Sequence, residues 1–132
     1  MVDWMHCLFV YGTLRSGFRN RYARMLAARA VLLGPARMRG RLYHLQQYPG
    51  MRTSACPGEW VVGELYMLPG AASLSALDRY EGPRFRRKCC HAFDAAGRRR
   101  PAWVYEYLGR VSESHRIPSG DYFPCGVPHT AC

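Results

Sequence analysis

The sequence predicts an α+β fold: a small mixed or antiparallel β-barrel with two short flanking helices packed outside it. Three observations lead to this expectation. Strand-like segments dominate the chain, at residues 7–11, 39–45, 60–68, 85–93 and 102–108, most of them bounded by Gly or Pro. Helical spacing is confined to two stretches, 21–29 and 71–80. The 132 residues are 48% hydrophobic and 13% aromatic, enough for one core, so a single domain over residues 1–132 is expected and intrinsic disorder is not.

The first strand, Cys7-Leu8-Phe9-Val10-Tyr11, is continuously apolar and is therefore expected to be buried on both faces. Gly12 breaks it, and Thr13 and Leu14 lead into the polar turn Arg15-Ser16-Gly17. Glycine at the end of a buried strand permits a sharp turn and a close approach to the peptide groups, whose successive amides can form an anion-binding nest. By themselves these residues fit a tight turn with no ligand at least as well. Residues 21–29 are good helix formers with Asn20 as a cap, and Tyr22, Met25, Leu26 and Arg29 share a face. Leu33-Gly34-Pro35 is expected to end that region, Arg39 to Leu45 to form a strand, and Tyr48-Pro49-Gly50-Met51 to turn. Trp60 to Leu68 is the strongest strand after the first, with Gly63 as a bulge or close-packing point. In the second helix Leu74, Leu77 and Tyr80 line one face. Glu81-Gly82-Pro83 ends it, because Gly permits a left-handed cap and Pro cannot continue. Strands over 85–93 and 102–108 are joined through Asp94-Ala95-Ala96-Gly97, Arg98-Arg99-Arg100 reads as a solvated hairpin tip, and Ile117 to Tyr122 is loop-like.

The formal net charge is +10, and Lys88 is the only lysine. Such an excess raises the case for an acidic partner or nucleic acid. The arginines are scattered, however, and no aromatic–basic motif accompanies them, so weak, salt-sensitive and non-specific nucleic-acid binding is expected and specific recognition is not. The cysteines at 7, 56, 89, 90, 125 and 132 form no C-x-x-C pair, and the histidines supply no zinc spacing. Free thiols in a reducing compartment and no bound metal are expected. No apolar run approaches the ~20 residues that span a bilayer, and the amino terminus carries no secretory pattern, so a cytoplasmic location is expected. Without a dinucleotide fingerprint or P-loop, hydride and phosphoryl chemistry and their cofactors have no support.

Taken together, the motifs resemble a known family. Phe9-Val10-Tyr11-Gly12-Thr13-Leu14 resembles the FVYGTL signature of gamma-glutamylcyclotransferase-like (AIG2-like) proteins. Gly40-Arg41-Leu42-Tyr43 followed by Tyr48-Pro49, and then Gly63-Glu64-Leu65-Tyr66, are similar to the family's strands in order. Leu77-Asp78-Arg79-Tyr80-Glu81-Gly82 resembles its LDxxEG segment, and Ser119-Gly120-Asp121-Tyr122 its closing turn. The resemblance runs from about Cys7 to Tyr122 and implies a compact barrel with a cavity. It implies that Tyr11, Gly12, Thr13 and Leu14 hold a small gamma-glutamyl substrate and that Glu81 is the catalytic base, with no cofactor. The implied reaction is internal attack of the substrate's α-amine on its γ-amide, releasing 5-oxoproline, which needs no enzyme nucleophile.

Rivals for these roles come from the same sequence. Glu64 and Glu106 lie on strands that could point into a cavity, although ion pairs with arginines are the simpler assignment, and Asp78 is expected to face solvent or pair with an arginine. Tyr43 and Tyr122 could wall the pocket or belong to the core. A non-catalytic binding protein on the same scaffold, aimed at an acidic partner by the basic surface, is the alternative reading.

Overall fold

The computed structural model describes residues 6–12, 14, 20–45 and 48–122, with backbone alone at Tyr22. The elements are β1 (Cys7–Val10), α1 (Arg21–Arg29), β2 (Val31–His44), β3 (Pro49–Thr53), β4 (Trp60–Met67), α2 (Ala71–Glu81), β5 (Phe85–Asp94), β6 (Arg99–Tyr107) and β7 (Arg116–Ile117). The strand order is β1-β4-β2-β3-β6-β5. A parallel bridge between Leu8 and Trp103 joins β1 to β6 and closes the first five into a barrel. The ten-residue β5 and the two-residue β7 extend it, each reaching β2. The sheet is mixed: β3 and β6 also run parallel, through Met51 and Glu106.

Closure explains why β1 is apolar throughout. Alternate side chains of a strand point to opposite faces. Cys7, Phe9 and Tyr11 enter the barrel interior with Met38, Leu42, Met51, Val61, Leu65 and Val104. Leu8, Val10 and Leu14 face outward, where Leu26 of α1 and Leu74 and Leu77 of α2 cover them. The cap expected at Asn20 is formed, its Oδ1 accepting from the Ala23 amide at 2.9 Å. Helix α1 buries Ala23 and Leu26 and half-buries Met25, while Arg29 is exposed.

Four local expectations change. Gly34-Pro35 does not interrupt structure but lies inside the 14-residue strand β2. The register against β4 shifts between Leu32 and Gly34, and Gly34, at φ 124°, absorbs that irregularity. Tyr48 to Met51 is not simply a turn: Pro49–Thr53 is a strand, because β2 and β6 supply ladder partners on either side. Of the arginine triplet, Arg99 and Arg100 belong to β6, and the tip is the preceding turn closed by the Asp94 amide donating to Arg98 O at 3.0 Å. The tail contains a short 3-10 turn and β7, whose Ile117 opposes Leu42. Gly63 is a close-packing point and not a bulge: its register against Ala36 is continuous, and a Cβ there would collide with the Val10 carbonyl.

Candidate active site

Three chain segments converge on a cavity of about 480 Å³. The turn after β1 contributes Tyr11, Gly12 and Leu14; the entry to β3 contributes Tyr48 and Pro49; and the junction of α2 with β5 contributes Tyr80, Glu81 and Phe85. Phe9, Val10, Asn20 and Tyr105 complete the lining. Apolar and aromatic groups thus form most of the wall, and Glu81 is the one charged side chain among these lining residues. Of the positions singled out in the sequence, Tyr11, Gly12, Leu14 and Glu81 meet here, whereas Thr13 lies outside the described residues.

Glu81 is the last residue of α2, ahead of the cap at Gly82 (φ 80°), whose amide donates to Asp78 O at 3.1 Å. The helix end is fastened one turn earlier. Asp78 takes a two-point hydrogen bond from Arg87, at 2.9 and 3.2 Å, and a third from the Tyr105 hydroxyl at 2.6 Å. Arg87 in turn lies 4.4 Å from the Trp103 ring centroid. No hydrogen bond or ion pair engages the Glu81 carboxylate among the described residues. Burial pushes its pKa up from 4.5 to about 7. Its place at the negative end of a helix acts in the same direction. For Asp78, burial alone would raise the pKa, but the Arg87 and Tyr105 hydrogen bonds outweigh it and hold the carboxyl below its ordinary value. Two carboxylates one turn apart are thereby driven in opposite directions, and the one in the cavity is poised to exchange a proton near neutrality.

Tyr11 fixes the turn that faces Glu81. Its hydroxyl donates to Tyr105 O at 2.7 Å and accepts from the Met51 amide at 3.1 Å, tying the turn to β6 and β3. Burial drives this phenol far above its usual ionisation range, so it stays neutral. Gly12 follows in a tight place: a Cβ would lie 2.7 Å from Pro49 Cγ.

The sequence matches the model of the family described as gamma-glutamyl cyclotransferase, AIG2-like, over residues 8–124. The chain belongs to this family. Comparison with curated proteins gave no significant match. Among solved structures, YkqA from Bacillus subtilis superposes with a TM-score of 0.75 at 22% identity, covering 96% of this chain and 43% of that one. The chain therefore spans less than half the length of that relative. An AIG2-like protein from Mus musculus gives 0.73 at 21% identity, covering 89% of this chain and 87% of that one. A structure described as gamma-glutamyl cyclotransferase gives 0.62 at 17% identity, covering 85% and 70%. At these identities the likeness establishes the shared cyclotransferase-like fold.

Within that fold the rival carboxylates fall elsewhere. Glu106 is almost fully buried, accepts from the Thr53 amide (2.8 Å) and hydroxyl (2.7 Å), and has Arg86 and Lys88 within 4 Å. Burial would raise its pKa, but the Thr53 hydrogen bonds and the two cations outweigh it, so it is held ionised. Glu64 sits on β4 between Val10 and Pro35. Neither lines the cavity. Tyr43 donates to Glu113 Oε2 at 2.9 Å, and Tyr122 packs into the barrel interior, so neither of these two walls it. The sequence reading missed Tyr48, Tyr80, Phe85 and Asn20 as lining residues. Tyr48 and Phe85 stand 5.9 Å apart, and Phe85 and Tyr107 5.3 Å, as an aromatic wall. The signal for Tyr80 was its place beside Glu81; nothing in the sequence marked Phe85, the first residue of an ordinary strand.

Proposed function

We propose that the chain is a gamma-glutamyl cyclotransferase that releases 5-oxoproline from a small gamma-glutamyl amine or peptide, with Glu81 as general acid and base. The substrate's α-nitrogen attacks its own γ-carbonyl carbon, the new C–N bond closes a five-membered lactam, and the original γ-amide C–N bond breaks. The α-ammonium gives up two protons on becoming the lactam N–H: one is lost to solvent before attack, and the other passes to Glu81 and from it to the departing nitrogen, so the carboxylate is restored each cycle. Because the nucleophile is tethered, positioning supplies much of the rate and no enzyme nucleophile is needed. Backbone amides of the Tyr11–Leu14 turn are the donors for the developing oxyanion and the α-carboxylate.

The observation that carries this reading is a lone carboxylate, half-buried in a mostly apolar cavity and with its pKa near 7, opposite the glycine turn. A protein of one domain in a reducing cytoplasm fits the free thiols of Cys7, Cys56, Cys89 and Cys90. Among the described residues no helix is long and apolar enough to cross a membrane. The test is incubation with a panel of gamma-glutamyl amino acids and amines, read by mass spectrometry. Wild type should form 5-oxoproline and free amine in equal amounts from at least one member, and formation from none would overturn the proposal.

A further inference from the structure

The net charge is +10, and the described lining of the candidate cavity carries no cation. Several arginines are neutralised locally: Arg41 and Arg116 by Glu59, Arg87 by Asp78, and Arg100 by Asp94. Arg37, Arg39 and Arg99 form no ion pair among the described residues. The barrel gathers these three on one outward face. Arg39 opposes Trp60, Arg37 opposes Phe93, and Phe93 opposes Arg99, and directly opposed residues of antiparallel strands share a face. The intervening residues Met38 and Ala92 point inward and are buried. The Arg37 and Arg39 guanidinium carbons lie 4.2 and 5.1 Å from the Trp60 ring centroid. Phe93 meets the same indole edge-on at 5.4 Å and 87°. The nearest carboxylates along these strands, Glu59 and Asp94, are engaged by other arginines, and Glu64 lies four residues along β4 from Trp60.

We propose that this face, built from Arg37, Arg39, Trp60, Phe93 and Arg99, binds single-stranded nucleic acid without sequence preference. Guanidinia already seated on an indole lose little freedom on meeting a phosphate. The guanidinium groups seated on the indole, with the Phe93 ring beside it, offer stacking surfaces to unpaired bases, which a duplex keeps hidden. The face is remote from the candidate active site: Phe85 of the cavity and Phe93 of the array begin and nearly end β5, eight residues apart, or about 26 Å along the strand. The proposal is therefore independent of the cyclotransferase reading.

The experiment is fluorescence anisotropy with labelled oligo(dT) and oligo(U), the same-length duplex, heparin and anionic phospholipid vesicles as competitors, across a salt series. Neutralising three phosphates of a single strand predicts a slope of log K against log[salt] of about −2. The double variant Arg37→Gln/Arg39→Gln should flatten it by about 1.4 and weaken binding roughly 25-fold at 0.1 M salt. The control Arg24→Gln/Arg29→Gln, on the exposed side of α1, should leave the slope unchanged, and circular dichroism checks the fold of both. Equal affinity for duplex, stronger competition by heparin or vesicles than by unlabelled oligo(dT), or an equal effect of the α1 control would each overturn the proposal.

Discussion

Replacing Glu81 by Gln preserves size and removes the one carboxylate in the described cavity lining. With a pKa near 7, the wild-type carboxylate is about one-tenth ionised at pH 6 and about nine-tenths at pH 8. The rate of 5-oxoproline formation should therefore climb about tenfold per pH unit on the acidic side and level off above pH 7. Glu81→Gln should lower turnover roughly 10²–10⁴-fold, the usual worth of a positioned base, and abolish that limb, while binding of a 5-oxoproline-like ligand persists. Stability should move the opposite way. The folded-state pKa is raised above the unfolded one, so the native protein holds the proton more tightly. Its contribution is fully present below about pH 4.5 and lost as pH rises through 7. At about 1.4 kcal/mol per pH unit, the loss is about 3 kcal/mol by pH 8. Gln does not titrate, so the variant should match wild type at pH 4.5 and melt roughly 10 °C higher at pH 8. Mass-spectrometric rates and thermal melts across pH 4.5–8.5 read both effects. A Glu81→Gln protein that keeps full activity, keeps the acidic limb, or melts lower than wild type at pH 8 would refute the reasoning. Glu64→Gln and Glu106→Gln should retain the limb.

Other perturbations probe the scaffold beneath the site. Tyr11→Phe strips the buried Met51 amide of its acceptor and the Tyr105 carbonyl of its donor, so a loss of about 1–3 kcal/mol by denaturant unfolding is expected; an unchanged midpoint would contradict the assigned bonds. Gly12→Val drives a branched side chain against Pro49 and into the cavity, and calorimetry should show ligand binding lost along with turnover, unlike Glu81→Gln. Thiol titration of the native protein should modify exposed Cys56 and Cys89 quickly. Cys7, fully buried and pushed up to about 11 by that burial, should react only on unfolding. Denatured protein should show every thiol free, and a mass deficit of two hydrogens per cysteine pair would exclude that.

Where local chemistry decides, the sequence was sufficient. An uninterrupted apolar run at 7–11 can be satisfied only by burial on both faces, and the barrel buries both. Asn20 and Gly82 bound their helices by side-chain and backbone geometry that a few adjacent residues specify. The ordered motifs also sufficed for the family, and they drew attention to Glu81 before any cavity was visible. Tertiary structure alone decided whatever depends on partners remote in the chain. Pro49–Thr53 is a strand because β2 and β6 flank it, and Pro35 sits in a strand because the neighbouring irregularity accommodates it. Arginines that look scattered become a single face over Trp60, since register across β2, β4, β5 and β6 sets their neighbours. The sequence places Glu81 and Asp78 one helical turn apart without fixing the surroundings of either. Only packing removes water from the first and delivers Arg87 to the second, and desolvation and pairing are properties of the folded surroundings, not of the residues.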